Sequence, residues 1–239
     1  MSTTTPQTVL LPEQIARITG APSIDQPMVA LSVAPTTPAK LVKRAMDVVG
    51  AGLGLLLLAL PLLAVAAAVR FSSPGSVLFR QLRLGRGGRP FHVLKFRTMV
   101  ADAENRLGDL EARNESGGVL FKIRDDPRVT ALGRFLRQTS LDELPQLINV
   151  FKGQMTLVGP RPLQLRDSRL LEAQDPQAFA VRLSVTPGIT GPWQVSGRSE
   201  AGDNMVQLDL DYIESWSLAQ DLKILLRTIP AVLTTRGAC

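Results

Sequence analysis

The sequence predicts an α+β protein that is mainly helical and carries a membrane-inserted helix near its N terminus. Residues 48–69 form a run of 22 residues without a charge, long enough to enter a bilayer as a helix. Residues 76–99 alternate apolar and basic side chains around a glycine-rich turn, which is the pattern of a β-hairpin. The remaining segments mostly show helical spacing of apolar residues, and 239 residues are enough for one buried core.

The composition excludes several classes of function. The net charge of +6 and the pI near 10.1 indicate an anionic partner, and nucleic acid, anionic lipid and nucleotide diphosphates all remain open. Cys239 is the only cysteine and His92 the only histidine, which excludes a disulfide framework, a cysteine metal site and a histidine-dependent triad. A metal bound here would therefore be a hard cation held by carboxylate and phosphate oxygens.

The first 39 residues differ in composition from the rest of the chain. They are rich in Thr, Pro, Ser and Gln and carry few charges, so we expect them to be mostly disordered. They have no basic start followed by an apolar stretch, which argues against a secretory signal peptide. We place the first boundary at residues 1–39, followed by a membrane helix over residues 40–71.

The apolar run contains a proline that should break its helix. Pro61 cannot donate a hydrogen bond to the Leu57 carbonyl, and its ring clashes with that carbonyl, so a kink is expected. Basic residues lie on both sides of the run: Lys40, Lys43 and Arg44 before it, and Arg70, Arg80, Arg83, Arg86 and Arg89 after it. Because Lys and Arg collect on the cytoplasmic side, both ends are expected on that side. This favours a re-entrant helix, while a bitopic helix with a tolerated proline stays open.

The predicted hairpin is strongly basic. No acidic residue lies between Arg70 and Arg97, so the hairpin is expected to face lipid headgroups or a polyphosphate. Lys95 and Arg97 alternate with Phe96 and are our candidates for a more specific phosphate contact.

The segment TSLDELPQLINVFKGQMTLVGPRP, residues 139–162, places two adjacent carboxylates at the start of a predicted helix. Pro145 fits only a first helical turn, so the helix should begin between residues 140 and 142, with Asp142 at the positive end of its dipole. A phosphate could also bind there, because Arg137 and Arg161 lie close in sequence. The alternative is structural: Ser140 and Glu143 have the spacing of a capping box.

Two C-terminal segments are also distinctive. Residues 186–198 are dense in Gly and Pro, which lets the backbone approach a ligand closely. In this loop Trp193 is expected to fill the core, and Arg198 is either a phosphate contact or a surface salt bridge. Residues 217–234 predict an amphipathic helix capped by Ser217, which packs on the core or lies in the membrane interface.

Several motifs in order carry a resemblance to a known family. These are LRQTSLDELPQLINVFKG, MTLVGPRP, RLSVTPGITGPWQVSGR and DYIESWSLAQDLKILLRTIPAV, which follow the apolar and hairpin segments. From Lys43 to the C terminus the chain resembles the bacterial monotopic phosphoglycosyl transferases, sugar transferases that start glycan assembly on a polyprenol phosphate. It is most similar to the short hexose-1-phosphate transferases of exopolysaccharide synthesis.

The resemblance implies a two-step reaction at an Asp-Glu dyad. It assigns Asp142 as the nucleophile that attacks the β-phosphate of a UDP-sugar, releases UMP and becomes a phosphosugar-enzyme intermediate. Undecaprenyl phosphate then attacks that intermediate and gives a polyprenyl diphosphate sugar. Glu143 is assigned to support the metal and the nucleophile, and the implied cofactor is Mg²⁺, held by Asp142 and Glu143.

The resemblance also implies further contacts, a location and partners. The substrate-binding residues would be Arg137 for phosphate, Pro160, Arg161, Pro162 and Arg198 on the nucleotide side, and Lys95, Arg97 and Asn149 in family-like motifs. Residues 72–239 would be a single catalytic domain facing the cytoplasm at the bacterial inner membrane, anchored by a re-entrant helix broken at Pro61. The donor would be UDP-glucose or UDP-galactose. Cytoplasmic-leaflet lipid, downstream glycosyltransferases and a second copy in a homodimer would be partners.

A binding protein is the main alternative to an enzyme. In that reading the basic hairpin holds anionic lipid and regulates a process at the membrane, while Asp142 and Glu143 only cap a helix. A nucleic-acid-binding protein would also suit the charge, but the uncharged run of 22 residues argues against it, and we expect no nucleic-acid partner.

Overall fold

The structure is a computed structural model that describes residues 37–100, 102–103, 106, 110, 123, 125–197 and 204–233. The predicted disorder of residues 1–36 and the predicted role of Arg198 lie outside these residues. The described part is mainly helical, with two small two-stranded sheets, as the sequence predicts.

Two helices form the bent N-terminal pair. Helix α1 spans Thr37–Leu57, helix α2 spans Ala59–Ser72, and the two are bent by 64°. The bend falls at Leu58, within the turn that would need the missing N–H of Pro61, so the predicted kink is confirmed. Among the described helices, none crosses a membrane alone by length and apolar content, and this bent pair is the one that could do so jointly. Helix α1 begins at Thr37, three residues before the predicted start at residue 40, so residues 37–39 are helical and not disordered as predicted.

The bent pair is only partly covered by the rest of the protein. Ala51 of α1 packs with Phe91, Val93, Val150 and Met155, and Val69 of α2 packs with Phe96 and Leu136. Around the bend the large side chains are exposed instead, and these are Leu56, Leu57, Leu60 and Leu63. The two outer ends of the pair are therefore held by the domain, and the bend between them presents an apolar surface.

The predicted hairpin is confirmed. Strand β1, Leu78–Leu84, pairs antiparallel with strand β2, Pro90–Phe96, and the register places Leu84 opposite Pro90. The turn between them contains Gly87 and Gly88 at φ of 67° and 72°, a conformation that favours glycine.

The middle of the chain contains the segment with the two carboxylates. Helix α3 spans Ala131–Gln138, and the Thr130 hydroxyl caps it by accepting from the Gly133 N–H at 2.9 Å. A single 3₁₀ turn, Leu141–Glu143, follows, then helix α4, Gln146–Phe151, and strand β3, Thr156–Val158.

The predicted start of α4 is wrong. It begins at Gln146, with Pro145 as its N-cap, and not between residues 140 and 142. The residues before α4 close 3₁₀ and not α-helical hydrogen bonds: the Leu144 N–H donates to the Leu141 carbonyl at 3.3 Å, and Pro145 has no N–H to donate. Asp142 and Glu143 consequently lie on a tight turn between two helices.

The C-terminal half is helical around a short parallel sheet. Its elements are α5 (Leu165–Gln174), α6 (Pro176–Leu183), β4 (Gly188–Thr190), α7 (Pro192–Val195), α8 (Met205–Glu214) and α9 (Leu218–Leu233). Strand β4 pairs in parallel with β3, with Thr156 opposite Gly188. A Cβ on Gly188 would lie 2.2 Å from the Gly159 nitrogen, so the two backbones approach closely where β3 ends.

Helix α9 has the predicted amphipathic character. The Gln220 N–H donates to the Ser217 hydroxyl at 3.2 Å, which confirms the predicted cap, and Ile224 is buried in the core. On the opposite face Leu222, Leu226 and Ile229 are more than half exposed. This spacing gives one apolar stripe along the outside of the helix.

Candidate active site

The turn with the two carboxylates points both acids into the protein and not along a helix end. The Ser140 side chain makes no capping hydrogen bond, and the Glu143 N–H donates to the Ser140 carbonyl at 3.2 Å within the 3₁₀ turn. The Glu143 carboxylate is held by cations from other elements. The capping-box interpretation of Ser140 and Glu143 is therefore wrong.

Glu143 is fixed between two cations. Its Oε1 accepts from Lys95 Nζ at 2.7 Å and from Arg161 Nη2 at 2.6 Å, and its Oε2 accepts from Arg161 Nη1 at 3.3 Å. Burial alone would raise the pKa of this carboxyl, but Arg161 and Lys95 outweigh burial and hold the pKa well below the usual value. Glu143 is thus a permanent anion whose geometry is set by two cations.

Asp142 has the opposite environment. Its side chain is 7% exposed, and among the described residues no group donates a hydrogen bond to its carboxylate. Burial and the neighbouring Glu143 charge raise its pKa to about 6, against the opposing charges of Lys95, Arg137 and Arg161. Its oxygens therefore retain lone pairs that no donor occupies.

Lys95 and Arg161 reach the site from separate elements. Lys95 lies near the end of β2, where Phe96 on the other face is buried in the core, so Lys95 faces the carboxylates. Burial lowers the pKa of Lys95, while the Glu143 charge raises the pKa of Arg161. Arg161 lies in the loop that follows β3, where the Gly188 N–H donates to the Pro160 carbonyl at 2.8 Å.

Arg137 completes the cationic surroundings of Asp142. It lies in the last turn of α3, and its Nε donates to the Thr98 hydroxyl at 2.9 Å. Burial lowers its pKa, and Asp142 is the largest charge that opposes this effect. The predicted delivery of Arg137 towards Asp142 by the end of a short helix is consistent with this placement.

Asn149 supports the site without facing it. Its Nδ2 donates to the His92 carbonyl at 2.8 Å, and its Oδ1 accepts from the Leu94 N–H at 3.1 Å. These bonds tie α4 to the edge of β2 directly before Lys95. Pro160 and Pro162 are buried and shape the loop that carries Arg161.

Arg97 is not brought to the carboxylates. Its guanidinium donates to the carbonyls of Ser73 at 2.6 Å, Pro74 at 2.9 Å and Val69 at 3.3 Å. These are the last carbonyls of α2 and the residues after it, which have no partner within the helix. Arg97 therefore caps the C-terminal end of α2.

Arg83 is a site residue that the sequence analysis did not single out. It is 8% exposed, and its Nη1 donates to the Pro162 carbonyl at 2.9 Å, which fixes the loop around Arg161. Burial, with the nearby Arg161 charge, lowers its pKa to about 9. The hairpin register contained the signal: Arg83 lies opposite Phe91, and an apolar Phe91 indicates that this pair faces inward.

The described residues contain no group of three or more His, Cys, Asp or Glu side chains that could hold a metal ion. Mg²⁺ is nevertheless commonly held by one or two carboxylates together with substrate phosphates and water. Asp142 suits that role because no donor occupies its oxygens, whereas Glu143 would share its oxygens with Lys95 and Arg161.

The arrangement suits chemistry on a phosphate. Three cations, Lys95, Arg137 and Arg161, surround one carboxylate that receives no hydrogen bond from the described residues and a second that is held in ion pairs. Fixed positive charge stabilises the charge that accumulates when an anionic nucleophile approaches phosphorus. Within this cluster, Asp142 is the acid to which no described residue donates a hydrogen bond.

Comparison with known proteins agrees with this chemistry. The family model for bacterial sugar transferases matches residues 38–235. A UDP-glucose:undecaprenyl-phosphate glucose-1-phosphate transferase from Caulobacter vibrioides is 44% identical over 211 residues, covering 85% of this chain and 74% of that protein. The exopolysaccharide production protein ExoY of Rhizobium meliloti is 41% identical over 201 residues, covering 82% of this chain and 87% of that protein. The galactosyl transferase CpsE of Streptococcus agalactiae is 43% identical over 198 residues, and the chain spans only 43% of its length.

Proposed function

The chain belongs to the bacterial sugar transferase family, and on that premise we propose that it transfers a hexose 1-phosphate from a UDP-sugar to undecaprenyl phosphate. Family membership makes it an enzyme of the phosphoglycosyl transferase type. The donor is UDP-glucose or UDP-galactose, since the similar proteins are named for glucose and galactose transfer. The reaction is the first membrane step of exopolysaccharide synthesis.

The observation that carries the mechanism is the buried carboxylate of Asp142, to which none of the described residues donates a hydrogen bond. In the first step one Asp142 oxygen forms a bond to the β-phosphorus of the UDP-sugar. The bond from that phosphorus to the oxygen bridging the α-phosphate breaks, and UMP leaves with the bond's electron pair. In the second step an oxygen of undecaprenyl phosphate bonds to the same phosphorus, and the Asp142 carboxylate is released. A covalent carboxylate intermediate divides one difficult transfer into two easier ones.

The surrounding residues have separate roles in this proposal. Lys95, Arg137 and Arg161 neutralise the diphosphate and keep Asp142 ionised, and Glu143 holds Lys95 and Arg161 in position. Arg198 stays a predicted contact on the nucleotide side. Mg²⁺, held by Asp142, Glu143 and phosphate oxygens, would neutralise charge on the diphosphate and favour departure of UMP. The raised pKa of Asp142 makes its carboxylate more basic than an ordinary one, which favours attack.

The bent helix pair supports a location at the cytoplasmic face of the bacterial inner membrane. We propose that α1 and α2 enter one leaflet and return, as a monotopic anchor. The exposed apolar bend and the basic residues at both outer ends support this topology. The active site would then lie at the level of the lipid headgroups, where undecaprenyl phosphate presents its phosphate. Downstream glycosyltransferases would take over the product, and a homodimer is part of the proposal.

The test is UMP release from a panel of UDP-sugars by the purified protein in vesicles with Mg²⁺ and undecaprenyl phosphate. We expect lipid-dependent UMP release that falls at least about 1,000-fold in Asp142→Asn, because the amide cannot attack phosphorus. Asp125→Asn, a matched change at an exposed aspartate, should keep the wild-type rate. If folded wild-type protein releases UMP from no UDP-sugar, the enzyme proposal fails and a membrane-tethered binder of anionic lipid becomes the better explanation.

A further inference from the structure

Helix α1 carries a polar face in its first turns, before it enters the apolar bend. Lys43 and Asp47 lie one turn apart on one side of this helix, and Arg44 is adjacent. All three side chains bond to elements of the domain that come more than 100 residues later in the sequence. We call Lys43, Arg44 and Asp47 the α1 clamp.

Asp47 connects the clamp to strand β3. It is 6% exposed, and its Oδ1 accepts from the Thr156 hydroxyl at 2.9 Å and from the Leu157 N–H at 2.8 Å. Strand β3 ends at Val158 and continues directly into the loop that carries Arg161. Asp47 therefore ties α1 to the strand that precedes the Arg161 loop, while the loop itself is held separately by Arg83 at the Pro162 carbonyl and by Arg182 at the Arg161 carbonyl.

Lys43 connects the same strand to helix α9. Its Nζ donates to the Val158 carbonyl at 2.9 Å and to Asp221 at 2.5 Å. Asp221 also accepts from the Tyr212 hydroxyl at 2.6 Å and from Trp216 Nε1 at 3.2 Å. Burial and the charge of Asp221 raise the pKa of Tyr212 well above its usual range, so the phenol stays a neutral donor.

Arg44 holds the element on the other side of the active site. Its two terminal nitrogens donate to the carbonyls of Val150 at 2.8 Å and Phe151 at 2.9 Å, at the end of α4. Helix α4 begins three residues after Glu143. The clamp thus bonds α1 to the two segments next to the active site: α4, which follows Glu143, and β3, which precedes Arg161.

The rest of the α1 contact is apolar and close. Gly50, Gly52 and Gly54 lie against Leu157, Phe151 and Leu147, so the helix approaches these side chains without a Cβ between them. Buried charges add little net stability, because desolvation offsets their attraction, but they can fix one alignment among several. The hydrogen bonds that Asp47 and Lys43 make to β3 form at one position of α1 along that strand, so they set the alignment of the helix.

We propose that Asp47 and Lys43 are positioning residues that fix the height of Asp142 relative to the bilayer, and that they serve the lipid step of the reaction selectively. This rests on the proposed function. The UDP-sugar donor comes from solution, so it can reach the active site whatever the height of the domain relative to the bilayer. The phosphate of undecaprenyl phosphate is confined to the headgroup layer. A small displacement of α1 relative to the domain therefore changes the height of Asp142, and the lipid phosphate can then no longer reach the intermediate.

The test separates the two half-reactions in vesicles. Asp47→Val removes both bonds to β3, whereas Asp47→Asn keeps an oxygen that can accept them. In Asp47→Val we expect UMP release in the first turnover, without lipid acceptor, to stay within about threefold of wild type. Transfer from the loaded enzyme to undecaprenyl phosphate should fall about tenfold or more, with a higher KM for the lipid, because misplaced reactants lose effective molarity. Asp47→Asn should restore most of the transfer rate.

Thr156→Val is the second variant, because it removes one donor to Asp47 and keeps the shape of the side chain. It should show the same selective loss at smaller size, even if Asp47→Val does not fold. Equal losses in both half-reactions, in variants whose thermal unfolding matches wild type, would reduce the clamp to a structural role and overturn the proposal. Unchanged transfer in both variants would overturn it as well. Failure of the proposed function would look different, since wild-type protein would then give no UMP in the first turnover.

Discussion

At the scale of single residues, the two adjacent acids show how environment separates chemical roles. Asp142 and Glu143 share one 3₁₀ turn, yet burial raises the pKa of Asp142 to about 6 while two cations hold that of Glu143 well below its usual value. The difference comes mainly from the charges of Arg161 and Lys95, which lie against Glu143 and also donate hydrogen bonds to it, whereas no described residue donates to Asp142. One acid is held in ion pairs, and the other is the one that the proposed function assigns to chemistry.

The first prediction concerns the pH dependence of this free carboxylate. Asp142 must be ionised to attack, and its pKa is raised to about 6, so kcat/KM for UMP release should fall below pH 6 by tenfold per pH unit. The measurement is the initial rate between pH 4.5 and 8. The charge of Lys95 lowers the pKa of Asp142. Lys95→Met should therefore reduce the rate and move the inflection of its pH profile to higher pH. An inflection near pH 4 in wild type would contradict the burial argument.

The same burial has a consequence for stability. Because the folded-state pKa of Asp142 lies above its ordinary value, its stabilising effect is fully present below pH 3.8 and is lost as pH rises through about 6. At neutral pH the buried charge is therefore a destabilising feature. The cost, on the order of 1–3 kcal/mol, is maintained at the position where the proposed reaction needs a carboxylate.

At the scale of secondary-structure elements, alternation along a strand predicts on which face of the sheet a side chain lies. It does not predict which other element that side chain contacts. Lys95 and Arg97 lie two residues apart and were predicted together as phosphate contacts. Lys95 binds Glu143 on the 3₁₀ turn, whereas Arg97 reaches the end of α2. The elements opposite the two positions are set by tertiary packing of α2 and α3, which no local pattern encodes.

The second prediction separates these two basic residues. Arg97→Met should lower the free energy of unfolding by about 1–3 kcal/mol, because the carbonyls of Ser73 and Pro74 lose a charged donor. Its rate of UMP release per folded molecule should stay within about threefold of wild type. Lys95→Met, a matched removal of charge, should lower that rate about 100-fold. Comparable losses of activity in both variants would return Arg97 to the substrate-binding residues.

Several elements were predictable because their signals are local. The hairpin follows from alternation and a glycine turn, and the break between α5 and α6 follows from Asp175 and Pro176. The start of α4 was not, because the sequence does not show whether the residues before Pro145 close α-helical or 3₁₀ hydrogen bonds. The burial of Arg83 required the strand register, and the pairing of β3 with β4 joins segments about 30 residues apart. Long-range pairing of this kind is decided by packing and not by propensity.

At the scale of the whole molecule, the bent helix pair and the carboxylate cluster form one connected structure. Arg97, directly after the strand that carries Lys95, holds the end of α2, and the α1 clamp holds β3 and α4. Both limbs of the bent pair are thus bonded to segments that flank the carboxylates. The proposed transfer from a soluble donor to a lipid acceptor would need this connection, because the active site would have to stay at the membrane surface.

The last prediction concerns the topology of the bent pair. If α1 and α2 enter one leaflet and return, Lys40 before α1's apolar part and Ser76 after α2 lie on the same side of the membrane. Single cysteines at these exposed positions, Lys40→Cys and Ser76→Cys in a background with Cys239→Ser, should both react with an impermeant maleimide only when it has access to the cytoplasmic face. The bend at Leu58 and the exposed leucines around it are the physical basis of this expectation. Labelling of the two cysteines from opposite faces would establish a bitopic helix, in which Pro61 is a tolerated kink. Because the clamp fixes α1 to the domain, that outcome would also require α2 to separate from Arg97 and from the hairpin that carries Lys95.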